Sequence, residues 1–210
     1  MSWFSKKPSI QRREDIIWKT AELKLDRLAA DVSSAHHEGA GVLVLYHFKN
    51  TRDQLRKRLG ESALTEFSSE SDFGRWREGY YSTVCLAPVS YLPAEFNNVF
   101  TAALITVKIF VAEHHPLAEP DSRILAWVKP LVGEICFYES LDAPMFAKLN
   151  IAPLLDQLGF KVQESLSHHF ITKAIAGMQE KVAKKIQMQN FDADSAEIWW
   201  KQAFPADQVL

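Results

Sequence analysis

Residues 39–60 read G-A-G-V-L-V-L-Y-H-F-K-N-T-R-D-Q-L-R-K-R-L-G. From Val42 to Tyr46 every position is apolar, the pattern of a strand buried on both faces in a parallel sheet. Thr51 and Gln54 have the spacing of a capping box, and Gly60 supplies a stop. A fully buried strand followed at once by a capped helix is one half of a βαβ unit, so the fold is decided by whether the unit recurs.

It does recur. Working outward, apolar runs at 83–87, 107–112 and 134–138 read as further strands, and 63–67, in a polar and mixed stretch, as a short one. Segments 73–77, 94–104 and 121–128 between them read as helices. Upstream, Ile17, Ala21, Leu25, Leu28 and Val32 fall on one face of a helix expected over 13–35. Strands alternating with helices imply α/β architecture with a mostly parallel, right-handed sheet flanked by helices. The last third differs. Leu166, Ile171, Ile175, Met178, Val182 and Ile186 predict one long helix. Asp194 and Glu197 open a last short one that carries Trp199 and Trp200. No repeat or linker is visible, so residues 1–210 are read as a single domain: a core over 7–160 and a helical C-terminal extension over 161–210.

The 210 residues carry 24 basic and 26 acidic side chains, a net charge of −2, and are 47% hydrophobic. That composition excludes global disorder, and the slight acidic balance argues against a nucleic-acid partner. No apolar run approaches the ~20 residues of a spanning helix, and the N-terminus has no secretory core. The chain is therefore expected to be cytoplasmic. Cys85 and Cys136 sit in apolar runs, as buried free thiols do; a disulfide or a zinc site is not expected.

Enzyme motifs are scarce. The glycine pair Gly39 and Gly41 precedes its strand, whereas a phosphate loop needs glycines after the strand, at the helix N-terminus. There is no P-loop, no nucleophile elbow and no H-E-x-x-H. Adjacent histidines, as at 36–37, 114–115 and 168–169, point apart and do not readily grip one metal. Glu113 and His114 follow a strand, and in open α/β sheets ligands bind beyond strand carboxyl ends. These two are the candidate strand-end ligand site, with His47, Ser90 and Asp142 as further groups at that edge. Arg52, Arg56, Lys57 and Arg58 make a basic helix surface, a solvated face or a site for an acidic partner.

Residues 137–192 carry a more specific signal. F-Y-E-S-L-D-A-P-M-F, L-L-D-Q-L-G-F, S-H-H-F-I-T-K-A-I-A-G-M-Q-E-K-V and Q-N-F-D follow one another in that order. Together they resemble the end of the second nucleotide-binding domain of SecA, the ATPase motor of bacterial preprotein translocation. Collinear similarities extend back to about Lys7: the helix–strand–helix start, Val84 to Pro88, and Val107 to His115. The resemblance implies a RecA-like, helicase C-terminal type of domain.

It also implies a degenerate one. Where the family continues its strand with N-M-A-G-R-G-T-D, this chain has Pro88-Val89-Ser90-Tyr91-Leu92-Pro93. Where the family has Q-L-R-G-R-x-G-R-Q-G-D, it has residues 124–133, I-L-A-W-V-K-P-L-V-G, with Lys129 as the one basic residue. Arginine forks stabilise phosphoryl-transfer charge, and apolar residues cannot replace them. The expectation is a non-catalytic, SecA-like module, a pseudo-ATPase with no catalytic, cofactor-binding or metal-ligating residues and no cofactor. It would act on a protein partner: the SecA motor, its channel or a preprotein. It would stay in the cytoplasm, or at the inner face of the membrane through that partner. Trp127, Leu131 and Val132, and Trp199 and Trp200, are the candidate docking residues, to be judged by their exposure. Two alternatives stand beside this. One is half of a split ATPase completed in trans, with Arg123 or Lys129 as its finger. The other is a small-molecule or metal enzyme built on Glu113 and His114.

Overall fold

The computed structural model describes residues 9–79, 82–93, 106–147, 161, 163–186 and 192–205. Among the described residues seven strands form one sheet: β1 (Ile10–Arg12), β2 (Ile16–Trp18), β3 (Gly41–Tyr46), β4 (Leu64–Glu66), β5 (Val84–Pro88), β6 (Val107–Val111) and β7 (Gly133–Ser140). Their order is β1-β7-β6-β3-β5-β4, with β2 also beside β7, and every pairing is parallel. The helices are α1 (Ala21–His37), α2 (Lys49–Leu59), α3 (Glu70–Arg77), α4 (Ala118–Val128), α5 (Pro144–Ala147), α6 (His169–Lys185) and α7 (Ala196–Ala203). This is the α/β architecture expected, a parallel sheet flanked by helices with a helical C-terminal extension.

Alternation along the strands sorts the core into two layers. Leu43, Leu45, Ile109, Val111, Ile135 and Phe137 face α3 and α4, with Phe73, Trp76, Ile124 and Trp127 in the same cluster. Val42, Val44, Leu86, Phe110 and Tyr138 face α1 and α2, against Leu25, Leu28, Val32 and Leu55. A third cluster lies under the extension, where Ile175, Met178, Val182, Trp199 and Trp200 cover Ile17, Phe48, Leu141 and Met145. Cys85 and Cys136 are buried and free. At the start of β7, Gly133 has φ +146, and a Cβ there would collide with the Val107 carbonyl.

Three local expectations are corrected. Residues 13–18 are not the start of a helix but a link from β1 and the strand β2, and α1 begins at Ala21 with Thr20 as its N-cap. Ile17 is buried as a strand residue rather than on a helix face. The β-branched and aromatic Ile16-Ile17-Trp18 gains a ladder along β7, which outweighs the helical spacing. Helix α2 starts at Lys49, with Phe48 as an N-cap that offers no side-chain bond, so Thr51 lies inside the first turn. Leu166 does not join α6; it pairs with Ile17 in an antiparallel bridge. The helix expected over 94–104 lies outside the described residues.

Candidate functional site

The carboxyl ends of β3, β6 and β7 meet at a buried polar cluster. Glu113, on the turn after β6, has its Oε1 2.7 Å from the His47 amide and 3.3 Å from the Phe48 amide. The Thr51 hydroxyl donates to its Oε2. Glu113 thus caps α2 from a distant strand, satisfying donors that the helix cannot satisfy itself. Asp142 does the same for α1, accepting from the Ala21 amide at 3.0 Å.

His114 lies beside it, stacked on Phe137 with centroids 4.7 Å apart. Its Nδ1 is 2.7 Å from Asp121 Oδ2. Its Nε2 stands 3.5 Å from Asp15 Oδ2, an ionic contact without a well-formed hydrogen bond. Burial alone would push the His114 pKa down, but the two carboxylates outweigh it and raise it to about 10, so the ring is an imidazolium. Burial likewise opposes ionisation of Asp121 and Asp15, yet charge and hydrogen bonds from His114 hold both below the usual carboxylate value. Asp121 also accepts from His47 Nε2 at 3.1 Å, from the His115 amide at 3.2 Å and from Gln179 Nε2 at 2.7 Å. Gln179 donates again to the His115 carbonyl at 2.9 Å, tying α6 to the cluster. Burial and the neighbouring His47 push the His115 pKa down to about 3, leaving that ring neutral.

An open cleft of about 140 Å³ lies against this cluster, lined by Lys24, Glu113, His114, Glu139, Asp142 and Ser195 among others. Glu139 accepts from the His114 and Ser140 amides, at 3.0 and 2.9 Å, and faces Lys24 Nζ at 3.5 Å. Among the described residues no group of three or more His, Cys, Asp or Glu side chains is arranged to hold a metal ion.

Glu113, His114, His47 and Asp142 are therefore at one edge, where the chain itself occupies both oxygens of Glu113 and one oxygen of Asp142. Ser90 is exposed after β5 and does not line the cleft. The candidate docking residues do not form a surface. Trp127 and Leu131 are each 4% exposed, Trp199 1% and Trp200 9%, and Val132 is half-buried. They refill cores: Trp127 packs edge-on to Phe73, and Trp199 edge-on to His115. The arginines of the basic run are paired internally, Arg52 with Asp53, Arg56 with Glu61 and Arg58 with Asp26. Arg123 donates to the Leu92 carbonyl at 2.8 Å.

Sequence reasoning missed Asp15, Lys24, Asp121, Glu139 and Gln179 as members of the cluster. One signal was available for two of them. Gln179 lies between Ile175 and Val182 on the apolar face of α6, and Lys24 lies one turn before Leu28. A polar residue on an apolar stripe needs a buried partner.

No family model matches the chain. Over 63 residues it is 38% identical to protein translocase subunit SecA of Methylococcus capsulatus, which spans 29% of this chain and 6% of that protein. Among solved structures, a chain of the E. coli DEAD-box protein SrmB complex with regulator of ribonuclease activity A is similar. It has 14% identity, a TM-score of 0.39 and coverage of 64% of this chain and 79% of that one. The C-terminal part of the Fun30 ATPase domain has 10% identity, a TM-score of 0.40 and coverage of 75% and 54%. The C-terminal domain of a possible DNA helicase from Lactobacillus plantarum has 14% identity, a TM-score of 0.39 and coverage of 65% and 79%. No helix among the described residues is long and apolar enough to cross a membrane.

Proposed function

We propose that this chain is a non-catalytic, SecA-like module that acts by binding a protein partner, as an accessory or regulator of preprotein translocation. One observation supports the loss of catalysis. At the carboxyl edge, where a parallel sheet offers helix N-termini to an anion, Glu113 and Asp142 already occupy the starts of α2 and α1. His114 is likewise held between Asp121 and Asp15, while Lys24 faces Glu139 at 3.5 Å. A multiply charged nucleotide phosphate would meet four lining carboxylates there. The short similarity to SecA supports the partner class: the motor, its channel or a preprotein, met in the cytoplasm or at the inner membrane face.

Two measurements test the reading. Affinity capture of the tagged chain from its own cells should recover the SecA motor or its channel. Titration with ATP and ADP should give no saturable binding. ATP hydrolysis that appears only on mixing with a partner and disappears in Arg123→Ala would instead establish the split-ATPase alternative.

A further inference from the structure

We propose that the carboxyl-edge cleft is a binding site for a small zwitterion of the α-amino-acid class. The ligand's carboxylate would meet Lys24 and Ser195, its ammonium Asp142 and Glu197, and its apolar arm the wall of Leu25 and Trp200. This site goes beyond the partner-binding role and does not depend on it.

The first observation is Lys24. Its side chain is nine-tenths buried, 5% exposed as a residue, and it lines the cleft. Its ammonium makes no hydrogen bond among the described residues; its ion-pair partner, Glu139 Oε1, is 3.5 Å away. An ammonium carries three protons, and one long ion pair leaves donors that a ligand's acceptor in the cleft can take. Ser195 is a second buried donor in the same wall, 8% exposed. Its oxygen accepts from the Ile198 amide at 3.2 Å, which leaves its own proton for an acceptor in the cleft.

The second observation is the sign of the lining. Four carboxylates, Glu113, Glu139, Asp142 and Glu197, stand against two cations, Lys24 and His114. A surplus of two negative charges repels a simple anion, and a simple cation would not use the donors that Lys24 keeps beyond its contact with Glu139. A molecule carrying both signs answers both. Ala21, whose amide holds Asp142, and Lys24 lie three residues apart on α1, so the two charges enter from adjacent turns.

The third observation is shape. About 140 Å³ is many times the roughly 10–15 Å³ that one water needs. Leu25, Met145 and Trp200 give one side an apolar, aromatic surface, suited to an aliphatic arm and, through the indole, to an ammonium.

The test is calorimetric and NMR titration of the full chain with leucine, 3-methylbutylamine and 4-methylpentanoate. The two analogues lack the carboxylate and the ammonium respectively. Leucine is expected to bind saturably with a Kd at or below ~1 mM, and each analogue at least tenfold more weakly. Lys24→Met should cost at least tenfold in leucine affinity. Glu197→Gln, on the exposed rim, should weaken leucine without changing the fold, which keeps the test decisive should Lys24→Met unfold. No saturable leucine binding, an amine that binds as tightly as leucine, or affinity unmoved in a folded Glu197→Gln variant would each overturn the assignment.

Discussion

Glu113 and His47 are 66 residues apart in sequence, and the Glu113 Oε1 lies 2.7 Å from the His47 amide. That bond joins the end of β6 to the end of β3 and seats a carboxylate at the mouth of α2. Its removal should be felt as a lost cap and as unsatisfied buried donors. Glu113→Ala is expected to destabilise by about 1–3 kcal/mol, and Glu113→Gln, which keeps an acceptor oxygen, by less. Urea denaturation of the two variants, compared at equal m-value, checks the order.

His114 and His115 set opposite limbs of the pH–stability curve. The His114 pKa is raised from 6.5 to about 10, so its contribution is full below 6.5 and is lost as pH rises through 10. The His115 pKa is lowered from 6.5 to about 3, so stability is lost as pH falls from 6.5 towards 3, where the unfolded chain takes a proton that the folded ring refuses. The lowered values of Asp15 and Asp121 add a further loss below their ordinary value of 3.8. Stability from this network should peak near pH 6.5. Replacing His114 with Gln should flatten the alkaline limb and replacing His115 with Gln the acid limb; thermal melts from pH 4 to 10 read both.

Gln179 bridges α6 to Asp121 and to the His115 carbonyl. Gln179→Ala should cost roughly 1–3 kcal/mol and lower amide-exchange protection across α6 more than across β3. Gln179→Glu should be worse, because it brings a second carboxylate against Asp121.

Trp127 packs against Phe73 and Trp76 in the core beneath the sheet. Trp127→Ala should therefore destabilise by about 3–5 kcal/mol. A variant with unchanged stability and lost partner capture would return Trp127 to the role of a docking residue.

The resemblance to SecA suggested that the apolar stretch over 124–133 replaced a charged working surface. The tertiary placement of Trp127 and Leu131 shows instead that these side chains are core. Exposure could not be read from the sequence, because an apolar residue in the last turn of a helix or just after it serves an interface and a core equally well. A like ambiguity hid residues 16–18, where helical spacing and strand propensity competed and the neighbouring strand β7 decided.

By itself the sequence determined the strands β3 to β7, the helices α2, α3 and α4 between them, the end of α2 at Gly60 and the burial of both cysteines, because apolar periodicity, turn chemistry and residue type act over a few neighbouring positions. Only the tertiary structure decided that Asp15, His114, Asp121 and Gln179 meet. Gln179 and Asp121 are 58 residues apart, and their contact depends on how α6 lies over the ends of the strands. A buried charge is tolerable only where its partners converge, and that convergence is a property of packing that no local window of sequence contains.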